Sequence, residues 1–168
     1  MLAGTTYAQT EIPVTDLDMT VKVEGLPHEG TSKNIITWKD RAGEHYVLTS
    51  ETGVYQSKKF KHESDGSDAE LFAYHYITTA EGPKQVWKIY DYVSDCPVDI
   101  EASFVAPPVV TDIDQDSVAE IWVMYQTACH GDVSPVSLKI ILYEDTKKSV
   151  MRGQSKVQIG DGKMEGGN

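Results

Sequence analysis

Carboxylates recur on alternate residues between positions 112 and 120, and this segment has the clearest chemistry in the sequence. Asp112, Asp114, Asp116 and Glu120 occupy places 1, 3, 5 and 9 of a nine-residue stretch, and the carbonyl of Val118 falls at place 7. Alternate carboxylates in a tight turn converge on one point, where they repel one another unless a hard cation binds among them. Calcium suits a flexible loop of oxygen ligands better than magnesium, which requires a stricter octahedron. The spacing therefore predicts a Ca²⁺ site with these five residues as ligands, against the alternative of a metal-free acidic turn.

The same loop resembles the D-x-D-x-D-G-x-x-D loops of FG-GAP and related β-propeller or adhesion repeats. That resemblance implies calcium held between strands for a structural purpose. Two residues depart from the pattern, because Ser117 stands where those loops have Gly and Glu120 stands where they have Asp. Glycine supplies a positive φ at such a place, so Ser117 is expected to cost roughly 1 kcal/mol.

The charge of the chain restricts its partners. The 168 residues carry a formal net charge of −11, and no Lys or Arg occurs between Lys88 and Lys139. Such a charge repels phosphate backbones and anionic headgroups, so we expect neither nucleic-acid binding nor membrane insertion. A solvated acidic face is one interpretation of this stretch, and a docking surface for a basic partner protein is the other. The predicted partner-binding residues outside the loop are Asp91, Asp95, Asp99, Glu101 and Asp132.

Two features point to an exported protein. Residues 1–8, which end in Thr6-Tyr7-Ala8, are typical of the last part of a secretory signal peptide, although a frayed terminus is the alternative. The chain has two cysteines, Cys96 and Cys129, and an even pair in an exported chain predicts a disulfide rather than two buried free thiols. We therefore expect a periplasmic or secreted location.

The elements that must position these residues are strands. From residue 33 onward Val, Ile, Thr, Tyr and Trp predominate, and turn residues recur every eight to twelve positions. Turns at 40–43 and 80–83 predict two hairpins. The predicted fold is mainly β, with seven to eight antiparallel strands in two packed or blade-like sheets and little helix. Residues 9–159 are expected to form this single domain, and the Gly-rich residues 160–168 to form a disordered tail.

Over a longer range the chain is similar to a family of small exported bacterial proteins named for surface-polysaccharide biosynthesis. The similarity lies in the Asp loop, in the Gly131-Asp132-Val133-Ser134-Pro135 segment and in Arg152-Gly153. It implies an exported, disulfide-bearing β protein in that pathway, with no established catalytic residues.

The motifs of common enzyme classes do not occur in the sequence: it has no H-E-x-x-H, no G-x-S-x-G and no P-loop. The sequence therefore favours a non-catalytic envelope protein with a structural calcium loop, which acts by binding a protein or glycan partner. The alternative is a periplasmic immunity or inhibitor protein that covers a basic site on a secreted toxin. A glycan-processing enzyme with two carboxylates is the third hypothesis.

Overall fold

The computed structural model describes residues 12–17 and 26–168, and every helix-or-strand element within them is a strand. The prediction of a mainly β fold is confirmed, whereas the predicted signal-peptide remnant at 1–8 lies outside the described residues. Within the described part, no helix is long and apolar enough to cross a bilayer. The strands, in chain order, are β1 (Thr15–Asp16), β2 (Thr31–Asp40), β3 (Gly43–Tyr55), β4 (Ser67–Thr79), β5 (Gly82–Cys96), β6 (Asp99–Phe104), β7 (Val109–Thr111), β8 (Glu120–His130), β9 (Ser137–Glu144), β10 (Lys147–Gln154), β11 (Val157–Ile159) and β12 (Lys163–Glu165).

Strands β1 to β5 form one antiparallel sheet in which each strand pairs with the one before it. Both predicted hairpins are present, since Asp40 lies opposite Gly43 at the β2–β3 turn and Thr79 lies opposite Gly82 at the β4–β5 turn. Gly43 and Gly82 have φ values of 143° and 111°. Residues with a side chain rarely adopt such φ values, so glycine is needed where β3 and β5 begin.

Strand β8 is the centre of the second sheet, which has the order β10-β9-β8-β6. One edge of β8 pairs with β9, and its other edge pairs with β6 along one half and with β7 along the other. Thr111 at the end of β7 lies opposite Glu120 at the start of β8. Residues 112–119 are therefore a loop whose two ends are fixed by one strand pair, and this loop holds the acidic segment.

The two sheets pack face to face around one hydrophobic core. The first sheet contributes Val47 and Leu71, both 0% exposed, and the second contributes Val123, also 0% exposed. Burial of each such side chain stabilises the fold by about 1.5–3 kcal/mol. The arrangement is thus a sandwich, one of the two packings that the sequence left open.

Strand β4 is buried on both of its faces, from Asp68 to Tyr76. One face meets the core, and on the other face Phe72, Tyr74 and Tyr76 form a second cluster with Leu26. The 26–29 segment also forms a hydrogen bond with this cluster: the backbone N–H of Glu29 donates to the Tyr74 hydroxyl over 3.0 Å. A strand covered on both sides needs no alternation of polar and apolar residues, which explains its apolar sequence.

The described architecture differs from the predicted one in two details. The described residues contain twelve strands rather than seven or eight, because β1, β7, β11 and β12 are too short to leave a periodic pattern. The predicted disordered tail also contains structure, since β12 pairs with β11 and the backbone of Gln154 bonds to Asn168 and Gly167. The glycines that suggested disorder have positive φ values, 76° at Gly162 and 75° at Gly166, which are typical of turns.

The predicted disulfide is present, and it joins the two sheets. Cys96 ends β5, the last strand of the first sheet, and Cys129 lies near the end of β8 in the second. Their Cα atoms are 5.7 Å apart, within the range that a disulfide spans.

Replacing both cysteines by serine should lower the free energy of unfolding by about 3–4 kcal/mol, because the bridge closes a loop of 33 residues in the unfolded chain. Urea unfolding of the oxidised protein and of the double variant measures this difference. The single Cys96→Ser variant is the control and should lose a similar amount. A loss well below about 1 kcal/mol would mean that packing alone holds the sheets together.

Candidate cation site

Three aspartates of the loop between β7 and β8 lie together. One carboxylate oxygen from each of Asp112, Asp114 and Asp116 lies within 4.8 Å of the other two. Two oxygens bound to one calcium ion are at most about 4.6–5.2 Å apart, since each Ca–O distance is about 2.3–2.6 Å. The three carboxylates are thus close enough to share an ion of the size of calcium.

The backbone of the loop turns the alternate carboxylates to one side. Asp116 N–H donates to Asp114 Oδ1 over 3.3 Å, and Val118 N–H donates to Asp116 Oδ1 over 2.8 Å. Gln115 and Ser117, the residues between them, have φ values of 62° and 68°. This left-handed conformation is unfavourable for a residue with a side chain, so the loop holds strain at the place where the sequence pattern indicated a missing glycine.

Glu120 lies outside this group of three, and its carboxylate closes the loop instead. Thr111 Oγ1 donates to Glu120 Oε2 over 2.6 Å, and Ile113 N–H lies 3.0 and 2.9 Å from the two carboxylate oxygens. The Thr111 hydroxyl also accepts a hydrogen bond from Trp122 Nε1 at 2.9 Å. Glu120 therefore fastens the first turn of the loop to the start of β8.

Asp112 is the residue of the group that most needs a cation. It is 8% exposed, and its Oδ1 has no hydrogen-bond partner among the described residues. A buried carboxylate oxygen without a partner is unfavourable, and two further carboxylates beside it add repulsion. A divalent cation among the three oxygens removes both penalties.

Most carboxylates of the predicted partner-binding surface are already paired within the chain. Asp91 forms an ion pair with Lys139 and accepts a 3.0 Å hydrogen bond from the Tyr125 hydroxyl. Glu101 accepts a hydrogen bond from the Gln126 side chain. These groups stabilise the sandwich, so they contribute less to an open acidic face than the sequence indicated.

The remaining acids of that set lie near the disulfide end of the sandwich. Asp132 accepts a hydrogen bond from Ser134 Oγ, and its carbonyl lies 2.6 Å from Nδ1 of His130. Asp99 is exposed and lies opposite His130 in the β6–β8 register.

Asp95 holds a long loop in place. Its carboxylate accepts hydrogen bonds from the backbone N–H groups of Glu63, Ser64 and Gly66 at 2.9, 3.1 and 2.9 Å. These bonds, that of Glu63 first, keep the pKa of Asp95 well below its ordinary value. The carboxylate is thus an anchor for the segment that connects β3 to β4.

Asp95→Ala should lower the melting temperature, because three backbone donors lose their charged acceptor, whereas Asp132→Ala should have a smaller effect. Differential scanning calorimetry of the two variants checks the difference. Equal melting temperatures for both variants and the wild type would show that the 63–66 segment does not depend on this carboxylate.

A second constellation, which the sequence did not reveal, connects Asp40, His45 and His75. His45 Nε2 lies 2.9 Å from Asp40 Oδ1, and His45 Nδ1 lies 2.9 Å from His75 Nε2. Both imidazoles are buried, and Trp38 stacks on His45 with ring centroids 4.9 Å apart. Since Asp40 accepts a hydrogen bond from His45 Nε2, the Nδ1 of a neutral His45 is an acceptor, and His75 Nε2 must donate to it. This choice of tautomers leaves a lone pair on Nδ1 of His75.

Sheet register creates this constellation. Trp38 lies directly opposite His45, and His75 lies opposite Val47, two residues further along β3 on the same face. Taken singly, each histidine looks like an ordinary strand residue. The signal that reveals the contact is the β2–β3–β4 register, which the predicted turns supply only for the first hairpin.

The neutral state of His75 gives the protein a specific pH dependence. Burial, together with the neighbouring His45, lowers the pKa of His75 from 6.5 to about 3. The unfolded chain therefore binds a proton that the folded protein excludes, so stability falls as the pH drops below about 6.5, by up to about 1.4 kcal/mol per pH unit.

His75→Phe should flatten the decline in unfolding free energy between about pH 6.5 and about pH 5.5, at least about one pH unit above the pKa values of carboxylates in the unfolded chain. Its stability at neutral pH should be lower, because His45 loses a hydrogen-bond partner. Urea titrations across this range measure the slope, with His130→Asn as the control. An unchanged slope in His75→Phe would contradict the assignment.

Fold and site together define an antiparallel β-sandwich with an acidic loop of calcium-type spacing between two strands. Comparison with protein-family models, with curated proteins and with solved structures finds no match to this chain. The chemistry of its own residues is therefore the basis for assigning a function.

Proposed function

We propose that the protein is a non-catalytic, exported, calcium-binding β-sandwich that acts by binding. The observation that carries this proposal is the buried carboxylate of Asp112, whose Oδ1 has no hydrogen-bond partner within residues 12–17 and 26–168, beside Asp114 and Asp116. Calcium is the cation that we propose, because the donors are all carboxylate oxygens and calcium accepts the irregular geometry of a loop more readily than magnesium does.

The disulfide supports export, because such bonds persist in oxidising compartments and are rare in the cytosol. The surface-polysaccharide context rests on the motif resemblance alone. The bridge and the cation loop have related effects, since both reinforce the ends of β8, the central strand of the second sheet.

The inhibitor hypothesis receives less support from the geometry. It needs an open acidic face, yet Asp91, Asp95 and Glu101 are engaged by a lysine, by backbone N–H groups and by an amide of the same chain. We therefore prefer the calcium-binding function.

Calcium should raise the melting temperature of chelator-treated protein by roughly 5–10 °C at a concentration about 100 times Kd, since a ligand of the folded state then adds about 2.7 kcal/mol. Asp114→Asn should abolish this rise while changing the calcium-free stability by no more than about 0.5 kcal/mol. The asparagine keeps the oxygen that accepts from Asp116 N–H, and the site loses one charge.

Glu120→Gln is the matched variant, because Glu120 closes the loop without belonging to the group of three. It should lower calcium-free stability by about 1.5–3 kcal/mol and retain the calcium-induced rise. Calorimetric scans with chelator and with calcium separate the two effects. A wild-type melting temperature that does not respond to calcium would refute the proposed function.

A further inference from the structure

The three-carboxylate group has an open side. Asp114 and Asp116 are exposed, whereas Asp112 is buried, so an ion among them is covered by protein on one side only. Asp114 and Asp116 each use Oδ1 for a backbone N–H, which leaves Oδ2 for a cation. One oxygen from each aspartate gives three ligands, whereas calcium takes six to eight. Further oxygens must therefore complete the coordination, and those on the exposed side are exchangeable.

Charge decides which oxygens these are. Three carboxylates and one divalent cation leave a net charge of −1 at the site, and the whole chain carries −11. A second anion is therefore repelled, and neutral oxygen donors are favoured.

A cavity of about 190 Å³ lies beside the loop, and residues 117–119 form one of its walls. Trp38 and Ile121 contribute apolar surface, while Arg41, Asp40 and Asp145 contribute polar groups. A cavity of about 150 Å³ can hold one benzene molecule, so this volume is on the scale of a single small ring. The carboxylates of Asp40 and Asp145 outnumber the guanidinium of Arg41, so the lining of the cavity, like the cation site, has a net negative charge.

The cavity and the cation site share a structural connection. Val118 lines the cavity, and its N–H donates to Asp116 Oδ1 over 2.8 Å. An ion that fixes the carboxylate of Asp116 therefore also fixes this wall of the cavity.

We infer that the cation is the ligand-binding group of the protein, and that it coordinates two adjacent hydroxyls of a neutral sugar whose ring lies in the neighbouring cavity. Two hydroxyls on one ring offer neutral oxygens together, so the second binds without a further loss of translational freedom. The apolar wall suits the C–H face of the ring, and the polar residues suit its hydroxyl edge. This inference rests on the proposed function.

Terbium luminescence tests it directly, because Tb³⁺ replaces Ca²⁺ in oxygen sites and its lifetimes in H₂O and D₂O count the bound waters. The probes are methyl α-mannopyranoside, methyl β-galactopyranoside and methyl α-fucopyranoside, and the anionic control is methyl glucuronide. At least one neutral glycoside should remove about two waters from the bound ion, at lower concentration than the glucuronide.

Two tryptophan variants locate the sugar. Ala42→Trp places an indole at an exposed position of the cavity and leaves the three aspartates unchanged, so it should keep Tb³⁺ binding and lose the effect of the glycoside. Ala80→Trp, in the exposed turn of the β4–β5 hairpin, should behave as the wild type. A glycoside effect that persists in Ala42→Trp would overturn the placement in the cavity.

The outcomes also separate the two proposals. If Tb³⁺ binds but no glycoside changes the number of bound waters, the sugar inference fails and the calcium-binding function stands. If neither Tb³⁺ nor Ca²⁺ binds the wild-type protein, the proposed function itself fails.

Discussion

The carboxylate of Asp112 is the constraint around which this part of the molecule is built. It is buried, one of its oxygens has no hydrogen-bond partner in the part of the chain that the structure describes, and two more carboxylates lie within 4.8 Å of it. Such an arrangement is unfavourable without a positive charge, and it is nevertheless supported by a strained loop with left-handed residues at Gln115 and Ser117. Strain of this kind persists where the surrounding structure imposes it, often at functional sites.

The sandwich supplies that support through β8. This strand pairs with β9 on one edge and with β6 and β7 on the other, so Glu120, its first residue, is held in place where the loop ends. Glu120 and Thr111 then close the loop by a 2.6 Å hydrogen bond. At the far end of β8 the disulfide of Cys129 joins the second sheet to the first. The cation site and the bridge thus lie at opposite ends of one central strand.

The sequence predicted local features well and non-local features poorly. Turn residues at 40–43 and 80–83 identified both hairpins, and alternate aspartates identified the acidic loop, because these signals lie within a few residues. Glu120 was predicted as one of five ligands, and its bond to Thr111 was missed because only the β7–β8 pairing places the two residues opposite each other. Asp95 was predicted to bind a partner protein, and its contacts within the chain were missed because they lie about thirty residues earlier. The contact of His45 with His75 required the register of three strands.

The most direct measurement is a crystal structure of the protein grown with calcium, with an anomalous difference map calculated around the loop. We expect one peak, at about 2.3–2.6 Å from one carboxylate oxygen each of Asp112, Asp114 and Asp116, with Glu120 still bonded to Thr111. A map without a peak at saturating calcium, with the carboxylates of Asp114 and Asp116 turned away from Asp112, would contradict the assignment of this loop as a cation site.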